Sequence, residues 1–118
     1  MITEVAFIVY PVTDIVRSRR FYEDVFELRP THEALGGTWV EYDIGATTFA
    51  IGVHPDWKPS TSGATLALEV DNFDATVAQL KSSGVVFSVE PFETPVCRMA
   101  IVTDPDGSRI ILHKRKAH

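Results

Sequence analysis

The chain has 118 residues, a length that argues for one domain rather than two. Its hydrophobic content of 45% is enough for one core and excludes extended disorder, while a net charge of −5 lacks the basic face that nucleic acid requires. A single cysteine excludes an intrachain disulfide framework, and no apolar run reaches the ~18–20 residues that span a bilayer. The start, Met1-Ile2-Thr3-Glu4, has neither the basic opening nor the apolar segment of a signal peptide, so the expected location is cytoplasmic.

Residues 5–12 form an apolar run rich in β-branched and aromatic side chains, which predicts a buried strand. Thr13 and Asp14 then offer N-cap side chains, and Asp14 also suits the positive end of a helix dipole. Residues 15–26 place Ile15, Tyr22 and Phe26, and also Ser18, Phe21 and Val25, at helical spacing; Pro30 closes that element. Three short strands are predicted next, at 29–35, 38–44 and 47–54, separated by the turns Gly36-Gly37 and Gly45-Ala46. Residues 55–62, with Pro55, Pro59, Ser60 and Ser62, read as a linker.

The pattern then begins again. Residues 64–70 predict a strand, Asp71 and Asn72 supply caps, and Phe73, Val77 and Leu80 lie on one helical face. Gly84 fits the position that ends the helix. Strands at 85–92, 96–103 and 108–113 follow, the last two joined by Asp104-Pro105-Asp106-Gly107, where Pro sets one corner of a turn and Gly takes the left-handed one. Lys114, Arg115 and Lys116 read as a solvated tail. With an offset of 58, Val12 falls on Val70 and Asp14 on Asn72, so the chain reads as two tandem βαβββ modules, at about 1–54 and 63–118, in one α+β domain.

Asp14-Ile15, Ser18 and the run from Phe21 to Leu28 resemble the opening signature of the vicinal oxygen chelate superfamily, which includes glyoxalase I, extradiol dioxygenases and bleomycin resistance proteins. Asp104-Pro105-Asp106-Gly107 before a terminal apolar strand resembles its closing signature. One departure is Glu27, where the family usually has Gly after the helix. The resemblance covers essentially the whole chain. It implies a curved, cup-shaped mixed sheet of eight strands, helices on the outer face, a ligand or metal inside, and a homodimer.

In metal-dependent members the chelate comes from four inward positions, which alignment places on Phe7, Ala50, Thr65 and Ile111. Phe, Ala and Ile lack a donor, and a lone Thr hydroxyl holds a divalent cation weakly. The expectation is therefore no cofactor. The alternative is a divalent metal held by a relocated set from Glu41, Glu69, His54 or His113. Strand alternation from the same four positions puts Glu69, Arg109 and His113 inside the cup, and by the same logic Trp39 and Glu41. The candidate lining is thus Phe7, Trp39, Glu41, Ala50, Thr65, Glu69, Arg109, Ile111 and His113, with no catalytic residue assigned. Glu41, Glu69 and Arg109 read equally well as rim charges. Cys97 has no cation or helix N-terminus evident beside it and reads as structural.

Three functions fit this reading. The first is a metal-independent protein that sequesters a small molecule, resembling the bleomycin-resistance branch; Glu41, Asp43 and Glu69 near the cup suit a cationic aromatic ligand, with Trp39 and Trp57 as stacking surfaces. The second is a lyase, isomerase or dioxygenase with displaced metal ligands or metal-free acid–base chemistry. The third is a regulatory module, which no residue selects.

Overall fold

The computed structural model describes residue 1 and residues 3–116. The chain divides into two compact units, Met1–Pro59 and Ser60–His118. The first contains β1 (Ile8–Pro11), α1 (Ile15–Arg19) running on into a π-helix (Arg20–Val25), β2 (His32–Ala34), β3 (Trp39–Ile44) and β4 (Thr47–Gly52). The second contains β5 (Leu66–Glu69), α2 (Phe73–Ser82), β6 (Phe87–Glu93), β7 (Cys97–Thr103) and β8 (Arg109–Arg115). The sheets repeat one topology, β1-β4-β3-β2 and β5-β8-β7-β6, with the first pair of each parallel and the others antiparallel. The two predicted βαβββ modules are both present, in an α+β fold.

Both helices start on the predicted caps. The Asp14 side chain accepts the Arg17 N–H at 3.0 Å, and Asn72 accepts that of Ala75 at 3.1 Å, each satisfying a donor the first turn leaves free. The ends differ. In α2, Gly84 turns left-handed at φ 78° and the Val85 N–H reaches the Leu80 carbonyl at 3.0 Å, a Schellman closure. In the first unit Glu27 takes that place at φ 59°, and the Phe26 N–H reaches back five residues to Phe21. From cap to left-handed residue the first helix spans 13 steps (14 to 27) and the second 12 (72 to 84). The extra residue is taken up as the wider π turn.

Under the first helix, Tyr22, Val40, Tyr42, Phe49 and Ile51 are buried, with the Tyr22 and Phe49 rings 5.1 Å apart. Each such side chain contributes roughly 2 kcal/mol by leaving water. The Tyr42 hydroxyl donates to Glu23 Oε2 at 2.8 Å, and the same oxygen receives Arg19 Nε at 2.6 Å, tying the sheet to the helix. Arg19 also reaches Glu33 on β2. Burial first, then the Glu23 hydrogen bond, pushes the Tyr42 hydroxyl well above its ordinary pKa.

In the second unit the core is Phe73 and Leu80 with Ala100, Val102, Ile110 and Leu112. Arg98 fixes the start of α2, its guanidinium 4.7 Å from the Phe73 ring and 2.8 Å from Asp74. The predicted turn before β8 is built by Asp104, whose buried Oδ1 accepts the N–H groups of Asp106 and Ser108 at 3.0 and 2.9 Å, with Gly107 left-handed at φ 85°.

Two expectations are corrected. The first strand begins at Ile8, so Val5 and Phe7 precede it and stay exposed. The basic C-terminal segment is no solvated tail: β8 runs through Lys114 and Arg115, which pair with Arg98 and Cys97, and the Lys116 ammonium meets Glu93 at 3.1 Å and the Thr94 carbonyl at 2.9 Å. Strand pairing supplies backbone partners that a charge count does not register. Cys97 is buried and contacts the Thr94 hydroxyl, consistent with a structural thiol.

Candidate functional site

Alternation along β3 separates two faces. Val40 and Tyr42 lie under the helix, whereas Trp39, Glu41 and Asp43 lie on the other side. Register then fixes the rows of that second face: Val9, Ala50, Glu41 and His32 stand side by side, as do Pro11, Gly52, Trp39 and Ala34. Phe7, two residues before Val9, reaches the same face, its ring 5.4 Å from Trp39 in an edge-on contact.

Aromatic rings continue from there. Trp39 lies 5.9 Å from Trp57, and Trp57 lies 5.5 Å from the His54 imidazole. Trp57 is held by a turn in which its N–H donates to the His54 carbonyl at 3.0 Å and the His54 Nδ1 accepts the Asp56 N–H at 3.1 Å. Both indoles rest on Gly52, where an added Cβ would stand 3.0 Å from each. The Trp39 indole N–H donates to Glu41 Oε2 at 2.9 Å, so one carboxylate oxygen orients the ring. The outcome is a run of four rings, partly exposed at Phe7 and Trp57, with a carboxylate beside it.

The second unit presents a different chemistry. On the face opposite α2, Glu69, His113, Met99 and Phe92 form one row, and Ala67, Ile111, Ile101 and Val89 the next. Glu69 Oε1 lies 2.5 Å from His113 Nδ1, and Oε2 accepts the Arg115 N–H at 2.8 Å. The Arg115 hydrogen bond chiefly, then that of His113, holds the Glu69 carboxyl below its ordinary pKa. Arg109 shares the strand but pairs with Thr103, four residues from His113.

The candidates thus fall into two groups. Phe7, Trp39, Glu41 and Ala50 share a face of the first sheet; Glu69, Arg109, Ile111 and His113 share one of the second, with Thr65 just ahead of β5. Ala50 stands directly beside Val9 rather than Phe7, and Ile111 beside Ala67 rather than Thr65, the same two-residue stagger in both units. Trp57 is legible as a stacking surface but not its contacts with Trp39 and His54, and Met99 and Phe92 as neighbours of His113 escaped sequence reasoning. Trp57 sits in a stretch without periodicity, and the β6 register is broken twice, around Val89. The irregular strand carries Pro91, which fits an edge position.

The side chains at Phe7, Ala50, Thr65 and Ile111, the positions that the resemblance assigns to the chelate, do not fit a divalent cation: three have no donor atom, and Thr65 has one neutral hydroxyl. Of the relocated candidates, Glu41 is engaged by Trp39, and Glu69 pairs with His113. Among the described residues no three His, Cys, Asp or Glu side chains gather in metal-binding geometry. No helix among the described residues is long and apolar enough to cross a membrane.

Solved structures with this fold span nearly the whole chain. TnmS3, described as an antibiotic binding protein from Streptomyces sp. CB03234, is 28% identical, with a TM-score of 0.79 over 98% of both chains. A glyoxalase family protein from Bacillus anthracis is 20% identical, with a TM-score of 0.83 over 98% of both chains. A glyoxalase/dioxygenase from Nostoc punctiforme is 19% identical, with a TM-score of 0.82 over 97% of this chain and 92% of its own. Among curated proteins none matches by sequence. The family model for the Glyoxalase/Bleomycin resistance protein/Dioxygenase superfamily matches residues 4–112, and the chain belongs to that superfamily.

Proposed function

We propose that this protein is a metal-independent small-molecule-binding protein that holds a planar, cationic aromatic compound without turning it over. The observation that carries this reading is the run Phe7, Trp39, Trp57 and His54 with Glu41 beside Trp39. Flat rings bind by offset or edge-on contact with such a run, and a carboxylate in partly apolar surroundings favours a positive charge. Donor-poor chelate positions and the likeness to an antibiotic binding protein support it further. We place the protein in the cytoplasm, as a homodimer, and sedimentation at micromolar concentration tests the latter.

A thermal-shift and tryptophan-quenching titration with proflavine, a planar cation, tests the binding. A ligand at 100 times its dissociation constant adds about 2.7 kcal/mol of stability, which reads as a clear rise in melting temperature. Trp39→Ala should abolish the shift, and Glu41→Gln should weaken it about tenfold. A wild type that neither shifts nor quenches with proflavine or other cationic ring compounds sinks the reading. One equivalent of tightly bound metal in protein prepared without chelators removes the metal-independent part.

A further inference from the structure

The pair Glu69 and His113 lies wholly in the second unit. Glu69 is clamped through both oxygens, one on the His113 imidazole and one on the Arg115 N–H. An ionised carboxylate only accepts, so Nδ1 must carry the proton of the 2.5 Å contact. Neutral His113 is thereby fixed in one tautomer, and its Nε2 is left as a lone-pair acceptor. Among the described residues no hydrogen bond is recorded to Nε2, and the side chain is a quarter exposed, at 25%.

The surroundings select what that lone pair meets. Along the row stand Met99 and then Phe92, which is 42% exposed, offering a thioether and a ring face to an aromatic group. The charged groups on this face of the neighbouring strands are Glu69 on β5, with Arg109 and Arg115 on β8; β7 contributes only Cys97, Met99, Ile101 and Thr103. Arg115 lies two residues along the strand, about 7 Å away, close enough to favour a nearby anion.

We propose that His113 and Glu69 form a recognition site for a weak O–H acid on an aromatic ring, a phenol or enol, bound at Nε2 as its conjugate base. On binding, the O–H bond breaks and its electron pair stays on the oxygen. The proton bonds to Nε2, and the imidazolium lies between the new anion and Glu69. No other reactant is needed, and release reverses each step. The site is built from residues of the second unit alone.

The test uses 4-nitrophenol with the full chain, at a pH below the phenol's own pKa, where free probe is mainly the colourless acid. Binding should produce the yellow phenolate band, saturating with probe. His113→Gln should remove the band, and Glu69→Gln should reduce it about tenfold, because the amide no longer fixes the Nδ1–H tautomer. Nitrogen-15 spectra of the histidines supply a second measurement, in which neutral His113 has its unprotonated nitrogen at Nε2 and Glu69→Gln mixes the tautomers. The absence of a band at about 10 mM probe, where a site of about 1 mM dissociation constant is mostly filled, overturns the proposal. An equal band in folded His113→Gln protein does the same, as does a wild-type imidazole protonated at Nε2 when neutral.

Discussion

Glu27 and Gly84 stand at equivalent ends of the two module helices and share a left-handed backbone, φ 59° and 78°. Only the glycine adopts that conformation freely; a side chain there meets the following carbonyl and costs about 1 kcal/mol or more. Glu27→Gly should therefore stabilise the protein by about 1 kcal/mol, raising the melting temperature a few degrees in calorimetry. An unchanged or lower value means that contacts of the Glu27 side chain outweigh the backbone cost.

Gly52→Ala tests the indole bed. Its Cβ would sit 3.0 Å from atoms of both Trp39 and Trp57, so at least one ring must shift. The expected cost is about 1–3 kcal/mol by urea denaturation, with an altered tryptophan emission spectrum.

Tyr42→Phe removes the hydroxyl that Glu23 accepts at 2.8 Å inside the first unit, and should cost about 1–2 kcal/mol at neutral pH. Because the folded-state pKa is raised, the native chain holds this proton more tightly than the unfolded one. The hydroxyl's contribution is complete below the unfolded value, 10.0, and is lost as pH climbs above it toward the folded one. Wild type and variant should thus converge in stability at strongly alkaline pH, measured as urea midpoints.

Glu69 gives the opposite dependence. Its folded pKa is lowered, so the unfolded chain binds the proton more readily, and the stabilisation is complete above the ordinary value of 4.5. It fades as pH falls through the lowered folded value. Glu69→Gln should be less stable than wild type at pH 7, with the gap closing in acid.

Much of this fold is legible in the residues because local signals agree with one another. Asp14 and Asn72 announce helix starts, Asp104-Pro105-Asp106-Gly107 announces a turn, and the apolar runs between them are long enough for strands. Alternation on β3 puts Trp39 and Glu41 on one face and Val40 and Tyr42 on the other, but only the burial of Val40 and Tyr42 in the structure fixes which face is which. What stayed hidden depends on contacts between segments distant in sequence. The Glu69–His113 pair arises from parallel register between strands 44 residues apart, and neither residue's neighbours reveal it. Trp57 joins the ring run through a turn closed by its own backbone, and the pairing of Lys114 needs β7 to be in place.

The π-helix changes how the duplication has to be traced. Because an added residue is absorbed inside the first helix, the strands on either side keep their pairing, and the hydrogen-bond ladder shows no scar. The offset between matching residues drifts instead, from 58 at the caps to 57 at the helix ends and 61 between Ala50 and Ile111. A fixed-offset comparison of the halves therefore slides out of phase within one module. Ancestry here is written in the pairing of backbones, which tolerates small insertions where a letter-by-letter alignment does not.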